Sequence, residues 1–340
     1  MSLVNLQSTG LELRQVGPVP PLNDAVADAS VPIPLEPILF SDESIGTYAI
    51  LDNGRFNGTL PDLCDAEGLR AVCLFQGQVG RNLADVAPWI VQLLPGSSLT
   101  RNLWTHVPGK EAPWHFWNRK PGIYVTGPVS FDEMRTHFRK LSRWKDDDGK
   151  AFFLRFWEAA PMLEYFRWVA DPKQAAHTWF QTASGERIEY LLPVYGYAYH
   201  CLASEQSLSG SPVKARAQTP LSSRDKDALY EGILRDRASY VVWGLHTRNP
   251  DALAGRDPED AIQQAIGTIR KLRAYGVTSG PDVARLVRWE LLLGRHVEDF
   301  GPDGHVARIL RSDLRDSRKV SLIEEQFEAA FSGPAGALVS

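Results

Sequence analysis

The sequence predicts an α/β fold, a mixed α+β sheet domain, followed by a smaller all-α helical bundle. Up to about residue 200, short apolar runs alternate with amphipathic segments. A stretch of Ser, Gly, Pro and Ala without periodicity then follows, and beyond it only helical spacing remains. We therefore expect four regions: a Pro-rich N-terminal arm (1–44), an α/β domain (45–202), a linker (203–223) and a C-terminal helical domain (224–340).

The N-terminal arm is predicted to be extended or irregular. Proline fixes φ and has no backbone N–H, so it ends helices and interrupts sheet pairing. The regular body of the α/β domain is expected to begin near Tyr48. The prolines on which this prediction depends are Pro18, Pro20, Pro21, Pro32, Pro34 and Pro37.

Short apolar runs bounded by turn residues predict the strands of the α/β domain. The first such run is followed by Asp-Asn-Gly, a typical turn sequence. A hairpin turn is expected at Gly185. The predicted strands are 48–51, 71–75, 89–93, 122–126, 151–157, 179–182 and 187–192.

Capping residues and apolar spacing predict the helices of this domain. Ser130 is placed to cap a helix whose apolar residues recur every three or four positions up to Leu141. The segment Asp-Asp-Asp-Gly at 146–149 is interpreted as a turn, because Trp144 stands where the first ligand of a calcium loop belongs. Further helices are predicted at 60–68, at 99–104 behind a serine cap, and at 162–168 and 172–180.

The C-terminal region contains helical patterns only. One helix is predicted over 225–245. The next begins at Asp257-Pro258 and ends at Gly276, and a third, with Pro281 near its start, ends at Gly294. Two more are predicted at 306–310 and 322–331.

Composition excludes several classes of partner. The formal net charge is −4, and basic and acidic residues alternate along the chain, so nucleic acid is not expected to bind. The apolar stretches are shorter than the roughly 20 residues that span a bilayer, and the first residues lack the apolar core of a secretory signal. Three cysteines at unrelated spacings indicate reduced thiols, so we expect a cytoplasmic protein.

Catalytic motifs are absent from the sequence, so the chain is not expected to be an enzyme and no cofactor is implied. The eight histidines are dispersed. His296 and His305 lie among acidic residues, but this Gly- and Pro-rich segment is interpreted as a solvated loop rather than a metal site. The aromatic run Trp114–Trp117 is interpreted as a buried loop or as a surface for protein contact.

Four segments carry a resemblance to a known family: Tyr48–Asp52, Ala87–Trp104, Gly122–Leu141 and Asp146–Leu163. Taken in this order, they resemble the type VI secretion effector chaperones, also called adaptors. The third combines a glycine-led strand with a Ser-capped helix carrying His137 and Arg139. The resemblance covers about residues 45–195, and the helical segment 275–294 is similar to an element at the C-termini of secretion-linked effectors and adaptors.

The resemblance implies a protein that binds a toxin effector and the VgrG spike protein, with no role for membrane or nucleic acid. Six residues in or beside the motif segments are candidates for partner binding, and each also has a structural interpretation, as a turn carboxylate, a helix histidine or a strand-capping arginine. Two other functions stay open: a secreted antibacterial toxin whose C-terminal helical domain carries the activity, and a structural subunit of the machine. The six candidates are Asp52, Arg55, His137, Arg139, Arg155 and Trp157.

Overall fold

The alternation of strands and helices in the first part of the chain builds a sheet, and the helical remainder builds a bundle. The computed structural model describes residues 5–8, 10–23, 29–110, 112–145, 149–194, 196–209, 221–301 and 304–331. The chain divides into two compact units, a first unit of residues 1–232 and a second unit of residues 233–340. The predicted fold class is confirmed.

The first unit contains the strands of the described chain. They are β1 (Asn5–Ser8), β2 (Leu11–Pro18), β3 (Gly46–Asp52), β4 (Ala71–Cys73), β5 (Pro88–Gln92), β6 (Gly122–Gly127), β7 (Arg143–Lys145), β8 (Ala151–Phe153), β9 (Glu189–Val194) and β10 (Tyr197–Ala203).

Helices flank the sheet of the first unit and make up the second. They are α1 (Glu36–Leu39), α2 (Leu60–Ala66), α3 (Gly77–Leu83), α4 (Ser98–Asn102), α5 (Phe131–Leu141), α6 (Ala159–Trp168), α7 (Pro172–Trp179), α8 (Glu205–Leu208), α9 (Ser223–Arg248), α10 (Pro258–Ala274), α11 (Gly280–Leu293), α12 (His305–Arg311) and α13 (Asp316–Phe331).

The main sheet has eight strands in the order β1-β2-β10-β9-β6-β3-β5-β4, and β7 and β8 form a separate hairpin. Neighbouring strands of the main sheet are antiparallel. Strand β3 lies inside the sheet, where Ile50 is paired with Ile90 on one side and with Ile123 on the other. The end of β3, at Asp52, therefore lies beside Pro88 of β5, with β4 as the edge strand beyond it.

The N-terminal arm is part of this sheet. Strand β2 lies between β1 and β10, with Leu13 opposite Cys201. The prediction that the regular body begins near Tyr48 is therefore wrong. The reason is local: no proline precedes Pro18 in the arm, so residues 11–17 keep their backbone donors, and the prolines begin where the strand ends.

Both faces of the sheet are covered, as the alternation of side chains along β3 shows. Tyr48 and Ile50 point into a core with α5, α6 and α7, whereas Ala49 and Leu51 point into a second core with α2 and α4. All four side chains are buried. A strand buried on both faces reads as a continuous apolar run, which is why the sequence around β3 identifies a strand so clearly.

Some predicted elements differ from the structure. The predicted strand 151–157 ends at Phe153, and the predicted hairpin at Gly185 is reduced to a single bridge between Gln181 and Arg187. Strand β10 was not predicted. Residues 146–148 of the predicted acidic turn and 210–220 of the predicted linker lie outside the described residues.

The second unit is built on the caps that the sequence indicates. The Asp257 carboxylate accepts from the Glu259 N–H at 2.7 Å at the start of α10, and Gly294 ends α11 with a φ of 62°. The Nζ of buried Lys319 donates to the carbonyl oxygens of Tyr275 and Leu310. Helix α9 begins in the first unit and continues into this one.

In the described part of the chain, every helix is too short or too polar to cross a lipid bilayer.

Candidate functional site

Two of the predicted residues form an ion pair at the β4 side of the sheet. Arg155 lies in the turn that follows β8, and its Nη2 donates to Asp52 Oδ2 at 2.8 Å. Asp52 ends β3, is buried, and also accepts from the Gly54 N–H at 3.0 Å. Arg155 Nε donates to Glu158 at 2.6 Å. Burial alone would lower the pKa of Arg155, but the carboxylates of Glu158 and Asp52 raise it overall.

The Trp157 ring packs against this guanidinium group. The Arg155 guanidinium carbon lies 5.3 Å from the centre of the Trp157 ring, within the range of a cation–π contact. Trp157 itself is only 2% exposed and packs edge-on against Phe75 at 6.2 Å. Phe75 also packs on Phe153 at 4.3 Å, and Phe153 is largely exposed. The ion pair is thus in contact with a row of aromatic side chains, Trp157, Phe75 and Phe153, of which Phe153 is exposed.

Arg139 joins the same region from α5. With the Gln76 amide turned so that its oxygen faces the guanidinium group, this oxygen accepts from Arg139 Nε at 2.6 Å. Gln76 directly follows Phe75, so the chain connects Arg139 to the aromatic pair. Burial lowers the pKa of Arg139, and the neighbouring charge of Arg135 lowers it further.

Helix α3 presents an apolar stripe beside these groups. Val79 and Leu83 are four residues apart, which places them on one side of α3, and Val86 lies in the 3₁₀ turn Ala84–Val86 that follows. All three are exposed. Gly80 packs against the backbone of Phe75, where an added Cβ would lie 2.6 Å from the Phe75 oxygen. Val86 adjoins Gly54, beside the Asp52 turn. Gly80 thus joins α3 to Phe75, and Val86 joins the end of this segment to the Asp52 turn.

We call this region the α3 surface. It combines exposed apolar side chains with two guanidinium groups that are held by fixed partners, a composition suited to protein contact. Its residues are Phe75, Val79, Leu83, Val86, Arg139, Phe153 and Arg155.

The structure does not place every predicted residue in this surface. His137 is buried, and its Nε2 donates to the Trp179 carbonyl oxygen at 3.3 Å. Burial lowers the pKa of His137 to about 4. Arg55 is exposed on the 3₁₀ turn Asn53–Phe56, where its carbonyl oxygen accepts from Arg119. The position of His137 fits its structural interpretation.

The sequence analysis missed the apolar part of the surface. Phe75 is the last residue of the predicted strand 71–75, Phe153 lies inside the predicted strand 151–157, and neither Gln76 nor helix α3 was assigned to a predicted element. The stripe spacing of Val79, Leu83 and Val86 was available in the sequence, but one short helix offers too few turns for a periodicity to stand out.

Other candidate features lie elsewhere. Of the aromatic run, Trp114 is half exposed, while His115 and Phe116 are buried and Phe116 packs on Phe56 at 4.5 Å. An open cavity of about 190 Å³ beside β2, β9 and β10 has charged walls, and none of the six predicted residues lines it. Its charged side chains are Glu12, Arg14, Arg187, Glu189 and Glu205.

Among the described residues, no group of three or more His, Cys, Asp or Glu side chains has the arrangement of a metal site. His296 lies 3.2 Å from buried Glu290, as a hydrogen-bonded pair in the second unit. Asp303, part of the segment considered for metal binding, lies outside the described residues. All three cysteines are free thiols.

Comparison with known proteins gives one match, which covers less than half of the chain. No curated protein and no solved structure matches it. The candidate residues from Asp52 to Trp157, and the whole of the α3 surface, fall inside the matched segment. Residues 47–176 match the family described as "Domain of unknown function (DUF4123)", a family associated with effector-adaptor function in type VI secretion.

Proposed function

We propose that this protein is a type VI secretion effector adaptor. In the cytoplasm of the producing cell it binds a toxin effector and loads it onto the VgrG spike protein, without catalysis. The α3 surface is the observation that carries the proposal, because it offers exposed apolar side chains and anchored arginines inside the segment that matches the adaptor-associated family. This surface binds one of the two partners.

The physical reason is that the α3 surface is costly to leave in water. Val86 is 54% exposed and Phe153 42% exposed. Each square ångström of apolar area removed from water contributes about 25 cal/mol, so covering such side chains favours association. The partners of Arg155 hold its guanidinium group in place, which lowers the entropy lost when a second protein binds it.

A specific interface of this kind buries about 1,600 Å² in total, of which roughly half belongs to each partner. The α3 surface supplies the centre of such a patch rather than all of it. We expect Phe153 and Arg155 to contribute most of the binding energy, because aromatic and arginine side chains dominate interfaces.

The test is co-purification of the full chain with the toxin and spike proteins encoded beside its gene. Wild-type protein is expected to retain both. The variant Leu83→Asp with Phe153→Asp places two charges in the α3 surface and is expected to weaken one partner's binding at least tenfold. Ile33→Asp is the matched control, since Ile33 is an exposed apolar residue of the same unit outside the α3 surface.

Three outcomes would contradict the proposal. The first is recovery of neither partner with the wild-type protein. The second is an equal loss of binding in the Ile33→Asp control, which would show a general effect of added charge. The third is growth arrest when the full chain alone is expressed, which would indicate a toxic activity in place of an adaptor.

A further inference from the structure

The part of helix α9 in the second unit carries an exposed aromatic and basic face. Tyr240 is 68% exposed and Trp243 45% exposed. Arg237, His246 and Arg248 are exposed as well. Residues 237–250 contain no Asp or Glu, although the whole chain has a formal net charge of −4. This face is therefore positively charged, whereas the whole chain is net negative.

Arg288 of α11 adds a third arginine to this face. Burial lowers the pKa of Arg288, and the charge of Arg248 lowers it further. The Arg288 Nε is buried and has no hydrogen-bond partner among the described residues. Tyr240 is close enough to Arg288 to interact with it electrostatically. Two like charges are thus held near each other beside an exposed aromatic ring.

Arg285, a neighbour of Arg288 on α11, has carboxylate partners that Arg248 and Arg288 do not have among the described residues. Arg285, one turn before Arg288 on α11, is ion-paired with Glu324 and lies 3.5 Å from Asp282. Within the described residues, no carboxylate forms an ion pair with Arg248 or with Arg288. The half-buried guanidinium group of Arg288 loses hydration that none of the described residues replaces. An external anion would replace it.

We infer that this face, which we call the α9 surface, binds an acidic segment of another polypeptide. Carboxylates of that segment would pair with Arg248 and Arg288, and its backbone and apolar side chains would cover Tyr240 and Trp243. Tyr, Trp and Arg are the three residue types most enriched among side chains that dominate interfaces. The α9 surface consists of Arg237, Tyr240, Trp243, His246, Arg248 and Arg288.

Charge decides between the classes of partner. A purely apolar partner would bury the two arginines without an anion, which costs free energy. A nucleic acid would bring anions, but its dense charge is repelled by the net negative chain, and nucleic-acid binding needs a wider basic field. An acidic polypeptide supplies a few carboxylates together with apolar contacts. This inference concerns the second unit and does not depend on the proposed role of the α3 surface.

The experiment uses the full chain and a random copolymer of glutamate and tyrosine as the acidic probe. Binding is followed by fluorescence anisotropy of the labelled copolymer at low salt, and by the indole NMR signal of Trp243, assigned with Trp243→Phe. We expect saturable binding that moves this indole signal. The double variant Arg248→Gln with Arg288→Gln should weaken it at least tenfold.

Matched variants separate the site from net charge. Arg295→Gln with Arg318→Gln removes two positive charges elsewhere in the second unit, and should leave the affinity within about twofold. Tyr240→Ser with Trp243→Ser changes only exposed side chains, so it tests the surface even if the Arg288 variant unfolds. Leu314→Ser, another exposed apolar position, is its control.

The inference is overturned by any of three results: no binding of the copolymer by the wild-type protein, equal weakening by the two arginine pairs, or tighter binding of a 20-residue oligothymidylate than of the copolymer. Loss of binding in both the arginine and the aromatic variants, with both controls unchanged, supports it.

Discussion

Arg155 and Asp52 are 103 positions apart in the sequence, and the Arg155 Nη2 lies 2.8 Å from the Asp52 Oδ2. The pair connects the turn after β8 to the end of a central strand. Because Asp52 is buried and Arg155 is half exposed, the carboxylate depends on the arginine more than the arginine depends on the carboxylate.

Replacing Asp52 with Asn tests this dependence. The amide oxygen can still accept from the Gly54 N–H, but the ion pair is lost. We expect the free energy of unfolding, measured in urea, to fall by about 1 kcal/mol. Glu158→Gln, which removes the more exposed partner of Arg155, is expected to cost less. A double-mutant cycle with Arg155→Gln measures the coupling. Additive effects of the two substitutions would contradict the pairing.

His137 makes the first unit less stable in mild acid. Its pKa is about 4 in the folded protein and 6.5 in the unfolded chain, because burial disfavours the charged ring. Below pH 6.5 the unfolded state therefore takes up a proton that the folded state does not. Stability falls as the pH drops from 6.5 to 4, by up to about 3 kcal/mol.

The variant His137→Gln isolates this effect, because the amide can donate to the Trp179 carbonyl oxygen without titrating. Urea unfolding measured between pH 7 and pH 4 should show a shallower loss of stability for the variant than for the wild type. Identical slopes would show that His137 does not contribute.

Two glycines are expected to respond in opposite directions to alanine. At Gly122 of β6 an added Cβ would lie 1.9 Å from the Ile50 oxygen, so Gly122→Ala must push apart the centre of the sheet. We expect it to prevent stable folding or to cost more than about 3 kcal/mol.

Gly267 is an exposed position inside α10 with open space around it, and alanine there should stabilise by about 0.5–1 kcal/mol. Thermal unfolding measures both, and a tolerated Gly122→Ala would contradict the strand register.

Buried Glu290 organises the second unit. Its carboxylate accepts from Thr268 Oγ1 at 2.5 Å and from the Val297 N–H at 2.9 Å. Glu290→Ala removes the acceptor of the buried Val297 N–H, while the Thr268 hydroxyl can still donate to the Gln264 carbonyl oxygen at 3.0 Å, and we expect a loss of about 1–3 kcal/mol. Glu325→Ala, at an exposed carboxylate 4.0 Å from Arg318, is the control and should change little. Hydrogen exchange of the α11 amides follows the second unit directly, and equal protection in both variants would contradict this role.

Local chemistry made much of this fold predictable. The Ser130 hydroxyl accepts from the Glu133 N–H at the start of α5, as its position before an amphipathic run predicts. The apolar run 48–51 predicted the strand β3, which the structure shows to be buried on both faces. These elements follow from contacts within a few residues, which is the range that a sequence pattern records.

Long-range pairing was not predictable in the same way. Strand β2 depends on β10 for its partner, and nothing in residues 11–18 specifies that partner. The same limit applies to the candidate site: Asp52, Arg155 and Trp157 were each singled out, but their contact depends on the sheet bringing distant turns together. Phe75 and Phe153 were missed because only the tertiary structure packs Phe153 on Phe75 and Phe75 on Trp157.

The position of β2 between β1 and β10 has a consequence for how the first unit forms. During synthesis β2 leaves the ribosome after its neighbour β1 but long before β10, so its backbone groups that face β10 have no partner until almost the end of the unit is made. A shortened protein covering 45–202 would lack Leu11 and Leu13 and would expose the open edge of β10 to other chains. Such a fragment should aggregate, whereas one that begins before β2 and continues past β10 keeps the edge paired.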